Sequence, residues 1–308
     1  MTAIWILIIT AVVILAAVTA EIYRETHCFR VTRYSLGLRK LRRLEREIRI
    51  IFLSDLHNKV YGKDNDVLLR AIREEAPDLI LIGGDMLVGK AGVTRQPAYD
   101  FVRKLPEICP VFYANGNHEQ RMKEMPDRYD YSYRDYRERL KQCGVIFLEN
   151  ESRQIMIHGM KLNVSGLELP LSTYEKFRKK RVEGTDVAER LGFWPEGQRA
   201  GGSEAELQIL LAHNPAYAEG YKEWGADVIL SGHLHGGIVR IPGIGGVITP
   251  QAFLFPKYSG EMTVEGEQAV IVSKGLGTHT IDIRLFNTPE VVLLTLKKLE
   301  FPQTALKR

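Results

Sequence analysis

The sequence predicts an α/β protein in which two sheets pack together with helices outside, after one N-terminal transmembrane helix. Three observations predict this class: an apolar run opens the chain, strands alternate with helices from Ile48, and later strands are separated by turns. Strands alternating with helices are typical of parallel sheets, and turns are typical of antiparallel neighbours. The 308 residues are 45% hydrophobic and 26% charged, which suits a folded domain and excludes a disordered chain.

The first element is an apolar run of 18 residues, Ala3 to Ala20, interrupted only by Thr10 and Thr19. At about 1.5 Å per residue it is just long enough to cross a bilayer core. A cleaved signal peptide is the alternative, because residues 18–20 form an acceptable cleavage site. No lysine or arginine precedes the run, and it exceeds a usual signal core. The sequence therefore favours an uncleaved anchor over residues 1–22.

A basic segment, residues 23–47, follows the anchor. It includes Arg24, Arg30 and Arg33 and continues to Arg46. By the positive-inside tendency, this flank places the rest of the chain in the cytoplasm. Three cysteines, too few for a disulfide framework, suit the same reducing compartment. The segment either rests on anionic headgroups or forms a solvated juxtamembrane helix.

From Ile48 to about residue 300 the pattern predicts one domain. Its first strand, Ile48–Leu53, is a nearly continuous apolar run of the kind found in buried parallel strands. A helix follows from Asp64, its N-cap, to the stop at Pro77, and another covers Pro97–Leu105. Further strands are predicted at residues 79–82, 111–114, 144–148, 153–158, 161–165, 207–212, 227–230, 268–273 and 290–297.

Two parts of the chain do not follow this alternation. Residues 167–203 are rich in charge and glycine and are interpreted as an insertion or lid, and residues 301–308 form a tail. Within the insertion, Lys176–Arg181 is a basic run that either contacts phosphate or is a solvated helix face. The net charge of +4 is too small to predict nucleic acid as a partner. The sequence leaves the oligomeric state unknown.

Metal-ligand residue types follow five of the predicted strands, where ligands gather in sheets of this kind. They are Asp55 and His57, Asp85, Asn117 and His118, His213, and His233 and His235. Mixed nitrogen and oxygen donors without a thiolate suit Mn, Fe or Zn. Even with His118 set aside, the seven remaining donors are too many for one ion but suit two ions that share a carboxylate, clamp phosphoryl oxygens and hold a hydroxide for in-line attack.

Two other patterns near these residues carry less weight. The run Gly84–Lys90 fits the spacing of a phosphate-binding loop, but Ala91 stands where serine or threonine would hold magnesium. His158 and His279 can approach the site, although a core or loop position is the simpler interpretation.

The motifs Asp-x-His, Gly-Asp, Gly-Asn-His-Glu, a lone His and Gly-His-x-His occur in this order. The set resembles the calcineurin-like metallophosphoesterase family over residues 48–300. The resemblance implies a four-layer α/β/β/α sandwich and two divalent metal ions. It implies that Asp55, His57 and His235 hold the first metal, that Asn117, His213 and His233 hold the second, and that Asp85 bridges them. His118 would be the general acid for the leaving oxygen, a role that suits a histidine near neutral pH.

One position departs from the family pattern. Many members have an aspartate three residues after the bridging one, where it helps to orient the histidine, and this chain has Val88 there. Further matches, at Gly236-Gly237, residues 255–260, and residues 275–277 ahead of Ile283-Arg284, resemble the membrane-anchored bacterial branch. That branch includes enzymes that cleave the pyrophosphate of UDP-2,3-diacylglucosamine.

The resemblance implies a membrane-anchored enzyme that hydrolyses a phosphodiester or pyrophosphate bond, with a lipid-linked substrate as the expected partner. An anchored phosphodiesterase for soluble nucleotides is the first alternative. A non-catalytic membrane-tethered module with structural metals is the second, from a different functional class. The motifs recognise the phosphate and not the lipid, so they leave the substrate open.

Overall fold

The computed structural model describes residues 2–129, 132–178, 180–193, 206–237, 240–241, 245–278 and 283–299. His279, residues 194–203 of the expected insertion and the tail 301–308 lie outside this description. The helices are α1 Thr2–His27, α2 Asp66–Glu74, α3 Gln96–Val102, α4 Asn117–Glu124, α5 Ser132–Gln142, α6 Gly184–Leu191 and α7 Ala218–Trp224. The strands are β1 Arg30–Leu36, β2 Ile48–Leu53, β3 Leu79–Ile82, β4 Val111–Ala114, β5 Val145–Leu148, β6 Glu151–Ile157, β7 Met160–Leu167, β8 Glu206–Ala212, β9 Val228–Ser231, β10 Arg240–Ile241, β11 Gly245–Gly246, β12 Met262–Glu265, β13 Gln268–Val272 and β14 Glu290–Leu296.

Two six-stranded sheets form the centre of the described chain. The first has the order β1-β14-β2-β3-β4-β5 and the second the order β12-β13-β9-β8-β7-β6. Strands β2 to β5 pair in parallel, as do β7, β8, β9 and β13, whereas β14 runs antiparallel to β2. This arrangement confirms the predicted α/β fold with one N-terminal apolar helix.

The sheets and helices form four layers around three buried clusters. Alternate residues of β2 show why its sequence is apolar throughout. Ile50 and Phe52 face the second sheet, whereas Ile51 and Leu53 face the helices that cover the first. Both faces of the strand are therefore shielded from water, as expected for a parallel sheet covered on both sides.

The two predicted helices are shorter than expected. The first begins at Asp66, not at Asp64, because Asp64 and Asn65 both have left-handed backbones (φ 53° and 61°) in place of the extended conformation of an N-cap. The Asn65 Oδ1 atom instead accepts the Tyr61 N–H at 2.8 Å. The second helix ends at Val102, and a separate 3-10 turn follows.

The basic segment 23–47 is not a solvated helix. Its centre forms β1, which pairs in parallel with β14 at the edge of the first sheet. A 3-10 turn over Arg39–Arg43 then follows, with the Lys40 ammonium 2.7 Å from the buried Asp227 carboxylate. Period-two burial explains the strand, because Tyr34 and Leu36 pack into the core between the sheets.

The expected insertion is partly a piece of the core. Helix α6 packs on the outer face of the second sheet, where Val187 and Ala188 are buried beside residues of α7. Leu171–Tyr174 forms a 3-10 turn, and its Tyr174 ring lies 5.0 Å from the ring of His233. Within the described portion of residues 167–203, Val187 and Ala188 therefore complete the helical layer, whereas Phe177 is exposed. The interpretation of these residues as an insertion or lid stays a prediction.

The N-terminal apolar helix α1 stands apart from the sandwich. Over Ala3–His27 its mean hydropathy reaches 2.7, and residues 3–17 are exposed. A helix of this length and composition can serve as a membrane span or as a signal sequence. Only its last turns contact the domain, where Glu25 and Thr26 are buried.

Candidate metal centre

The structure brings the predicted ligand residues together at one edge of the sandwich. Asp55 and His57 follow β2, Asp85 follows β3, Asn117 and His118 open α4 after β4, His213 follows β8, and His233 and His235 follow β9. Because the parallel strands of both sheets end at this edge, residues far apart in sequence converge there. Three overlapping groups of Asp and His result, each with donor atoms within 4.8 Å of one another.

The first group is Asp55, His57 and His235. The Nε2 atoms of the two histidines lie 3.2 Å apart, and His235 Nε2 lies 3.3 Å from Asp55 Oδ1. The opposite ring nitrogen of His235 contacts the Gly277 carbonyl at 3.2 Å, which turns Nε2 toward the carboxylate. This set matches the residues that the family resemblance assigns to the first metal.

The second group is Asp85, His213 and His233. His213 Nε2 lies 3.1 Å from Asp85 Oδ2, and its Nδ1 contacts the Gly83 carbonyl at 2.7 Å. Asn117 is buried, and its Oδ1 has no hydrogen-bond partner among the described residues. A buried oxygen acceptor beside two imidazoles and a carboxylate is a donor set that fits a divalent cation.

Asp85 belongs to the second group and also approaches His57 of the first. Its Oδ2 is 4.0 Å from His57 Nε2 and 3.1 Å from His213 Nε2. Although burial opposes ionisation, the neighbouring His213 and His118 hold the pKa of Asp85 well below its usual range. Burial raises the pKa of Asp55 to about 6. The pocket thus concentrates negative charge that a bound cation would neutralise.

The pKa of His213 reflects the same charge. Burial disfavours its imidazolium form, but Asp85 and Asp55 outweigh that effect and raise its pKa to about 10. The two carboxylates therefore attract positive charge into a site from which water is excluded. A divalent ion held by these residues would take the place of that proton.

Five of the predicted ligands have left-handed backbones. Their φ angles lie between 48° and 66°, a region that residues other than glycine seldom adopt. The five are Asp55, His57, Asp85, His233 and His235. Such conformations persist where the surrounding structure enforces them, and they concentrate at functional sites.

Two motif glycines allow the ligand loops to meet. Gly84 has φ 93°, and a Cβ atom on it would lie 2.0 Å from the Gly116 nitrogen. A Cβ on Gly232 would lie 2.0 Å from the Ser54 hydroxyl and 2.2 Å from Asp55 Oδ2. Any side chain at these positions would therefore push the Asp55 and Asp85 loops away from their neighbours.

Glu119 holds the loops that carry the predicted ligands. The sequence did not reveal this role, although the residue closes the Gly-Asn-His-Glu motif. The fully buried carboxylate accepts the backbone N–H groups of Asp85 at 2.8 Å, Met86 at 2.9 Å and Gly116 at 3.1 Å. It also accepts the Tyr113 hydroxyl at 2.7 Å. Burial raises the pKa of Glu119 to about 7.

A second supporting layer lies behind Asp55 and His235. The sequence marked Ile283-Arg284 as a family match but did not reveal what Arg284 does. The buried Arg284 guanidinium donates to the carbonyls of Lys274 and Gly277. The Gly277 N–H in turn donates to the Asp55 carbonyl at 2.6 Å. Arg284 thereby fixes the loop that supports two of the three residues of the first group, Asp55 and His235.

His118 lies at the mouth of the centre, with Nε2 3.9 Å from Asp85 Oδ2. Where the family pattern has an aspartate, the backbone N–H of Gly89 donates to His118 Nδ1 at 2.8 Å. Burial lowers the pKa of His118. Both features favour the neutral ring with its proton on Nε2, because an imidazolium would set two N–H groups against each other. The Gly89 contact thus fixes the ring orientation, and the general-acid role implied by the resemblance stays a prediction.

A cleft of about 610 Å³ opens above the centre. Besides His57, His118 and His233, its wall includes three cationic side chains: Lys90, Arg121 and Lys176. The described residues show no ion pair for any of these three. Lys176, from the basic run singled out in the sequence, therefore contributes to the cleft. His158 lies at the opposite edge, 2.8 Å from Asp78.

Comparison with known proteins agrees with this geometry. The chain is 28% identical to the uncharacterized protein YpbG of Bacillus subtilis, covering 91% of this chain and 93% of YpbG. It is 27% identical to phosphodiesterase YaeI of Escherichia coli, covering 80% and 82% respectively. For the uncharacterized metallophosphoesterase YkuE of Bacillus subtilis the identity is 26%, covering 89% and 88%.

The sequence profile of the calcineurin-like phosphoesterases matches residues 48–237, more than half of the chain. The matched region contains all the predicted ligands and the strands that precede them. The protein therefore belongs to the calcineurin-like phosphoesterase family and is a metal-dependent hydrolase of phosphoester bonds.

Proposed function

We propose that the protein is a membrane-anchored hydrolase that uses two divalent metals to cleave a phosphodiester or pyrophosphate bond in a lipid-linked substrate. One observation carries the proposal: two Asp/His groups share Asp85, next to a cleft whose wall includes cationic side chains. Residues of this kind suit Mn, Fe or Zn, and a shared carboxylate suits a pair of ions. Asp85 is the proposed bridge.

The chain's own residues position the phosphate. Two ions bound here would supply Lewis-acid activation of the phosphoryl group. His118, with Nδ1 held by the Gly89 N–H, presents its Nε2–H to a phosphoryl or leaving-group oxygen. Lys90, Arg121 and Lys176 neutralise further anionic oxygens of the substrate.

A lipid-linked substrate is supported by the apolar helix that precedes the domain. A membrane span confines the enzyme to the bilayer surface and raises its effective concentration toward headgroups, with no such gain for a soluble nucleotide. The relative YaeI is named a phosphodiesterase, which agrees with the proposed chemistry and leaves the lipid open. The membrane-anchored branch that the sequence resembles supports the same choice.

Hydrolysis by the full-length protein in detergent tests the chemistry. The Mn-loaded protein is expected to hydrolyse bis(4-nitrophenyl) phosphate, to lose this activity in EDTA and to regain it with Mn. Asp85→Asn should abolish turnover, whereas the exposed Asp135→Asn should leave it unchanged. No turnover by a folded, metal-loaded sample would support a module with structural metals instead.

A second measurement tests the lipid. Full-length protein in vesicles is compared with a chain that begins at Glu21, using CDP-diacylglycerol in vesicles and the soluble aryl diester. The shortened chain must retain Glu25 and β1, because both belong to the folded domain. It should keep its rate on the soluble diester and become at least about tenfold slower on vesicles. Equal rates on vesicles would favour a soluble nucleotide as substrate.

A further inference from the structure

Strand direction determines where the apolar helix meets the domain. Strand β14 is antiparallel to β2, with Val292 opposite Phe52, so β14 begins at the edge where β2 ends. Strand β1 is parallel to β14, with Arg30 opposite Glu290, and therefore begins at the same edge. Helix α1 ends at His27, three residues before Arg30. It consequently joins the domain at the edge that carries the metal centre.

Hydrogen bonds fix this junction. The carboxylate of the buried Glu25 accepts the Asn287 N–H at 2.9 Å and the Thr288 hydroxyl at 3.0 Å. The Asn287 side-chain amide donates to the carbonyls of His235 at 2.5 Å and Gly237 at 3.2 Å. Only one residue therefore separates the last turn of α1 from the backbone of a predicted metal ligand.

The junction also fixes the depth of this edge. Glu25 lies five helical positions after Ala20, the end of the apolar run, which is a rise of about 7.5 Å. The headgroup layer on each side of a bilayer is about 5–8 Å thick. If α1 spans the bilayer, the loop that contacts Glu25 lies at the level of the headgroups.

Exposed apolar side chains occur in the loop at this junction and in segments beside the cleft. Ile283 and Phe286, in the loop that leads to Asn287, are 53% and 54% exposed. Across the cleft, Leu254 is 63% and Phe177 is 80% exposed. Large apolar side chains that are exposed together on the surface of a folded domain indicate a binding surface.

The two apolar loops flank the cleft. The Phe177 N–H donates to the carbonyl of Gln251, which lines the cleft on one side. Thr278 lines it on the other side, in the segment supported by Arg284. The charged turn Arg39–Arg43 follows the end of β1 and therefore lies at the opposite edge of the sheet. This part of the basic segment 23–47 is remote from α1. The headgroup contact expected for residues 23–47 can therefore involve only residues near α1.

We propose that the metal-centre edge faces the bilayer, with the 283–286 loop and the Phe177/Leu254 rim in the interfacial layer and the cleft open to lipid headgroups. This proposal takes one element from the proposed function, namely that α1 spans the membrane. The substrate's phosphate would then enter the cleft from the membrane side, while its acyl chains remain in the bilayer.

Nitroxide labels in the full-length chain test this orientation. Cysteines at Phe286 and Leu254, and a control at Met156, are placed singly in a chain with the native cysteines replaced. Met156 lies near the end of β6, the edge strand of the second sheet, away from the metal-centre edge. It is 63% exposed and so matches the test sites in exposure. Collisions with oxygen, which is enriched in lipid, and with a water-soluble nickel chelate are measured in phosphatidylcholine/phosphatidylglycerol nanodiscs.

The labels at Phe286 and Leu254 should show at least about fivefold higher oxygen-to-nickel ratios than the label at Met156. Equal ratios at the three sites would overturn the proposed orientation. The same samples are assayed on the soluble diester, which separates the two ideas. Hydrolysis with equal ratios removes the orientation alone, whereas unequal ratios without hydrolysis support the orientation and contradict the proposed function.

Discussion

Replacing Glu119 by glutamine should loosen the metal centre without altering a predicted ligand. The carboxylate accepts two donors on each oxygen: Met86 N–H and the Tyr113 hydroxyl on Oε1, and two backbone N–H groups on Oε2. An amide has one oxygen, so its NH2 group must face one of these pairs. The Tyr113 hydroxyl can rotate to accept, but at least one buried N–H loses its acceptor.

The expected cost follows from those contacts. Each buried donor without an acceptor costs about 1–3 kcal/mol, and the lost charge-assisted bonds bring the total to about 2–6 kcal/mol. At about 2–4 °C per kcal/mol for a domain of this size, Glu119→Gln should lower the melting temperature by at least about 5 °C. Because the Asp85 N–H is one of the donors, affinity for Mn should fall about 10–100-fold.

Differential scanning fluorimetry of the metal-free protein and calorimetric titration with Mn measure these two effects. Glu124→Gln is the matched control on the same helix, because this exposed carboxylate accepts only the Gln120 side-chain amide at 2.7 Å among the described contacts. An unchanged melting temperature and Mn affinity in Glu119→Gln would refute the idea that this carboxylate holds the Asp85 loop.

Three further changes test the framework around the centre. Lys40→Met should destabilise the domain by about 3–5 kcal/mol, seen in urea unfolding, because it leaves the Asp227 carboxylate buried without its cation. Asp85→Asn should retain less bound metal than His235→Asn, measured by elemental analysis after gel filtration, because the proposed bridge serves both ions. His118→Asn should slow aryl and alkyl diesters by similar factors of about 100 if the ring acts, as proposed, as a neutral hydrogen-bond donor; a much larger loss for the alkyl ester would instead support the general-acid role that the resemblance implies.

The ligand residues could be predicted because their signal is local. Each short motif follows an apolar strand, and parallel strands bring their carboxyl ends to one edge whatever the order of the strands. Asp55 and His235 are far apart in sequence, yet each could be located from its own strand. The role of Glu119 was not visible, because it depends on three backbone N–H groups from two loops.

Strand β1 was missed because its pairing is non-local. Its sequence contains Arg30 and Arg33, and beside the apolar helix it resembles a basic flank. Only its partner β14, about 260 residues later, gives the strand a place in the sheet. Helix α6 was missed for a related reason, since its short apolar face has meaning only against α7 and the second sheet.

The attachment of α1 distinguishes this enzyme from a domain on a flexible tether. A flexible linker lets a domain sample many orientations and reach substrates over a wide volume. Here the helix is followed by two residues and then by β1, and Glu25 is bonded to the loop that holds His235. The direction of the cleft relative to α1 is consequently a property of the fold. If α1 spans a membrane, as proposed, an enzyme held in this way reaches a phosphate at one depth of that membrane and loses reach elsewhere, which suits the proposed lipid-linked substrate.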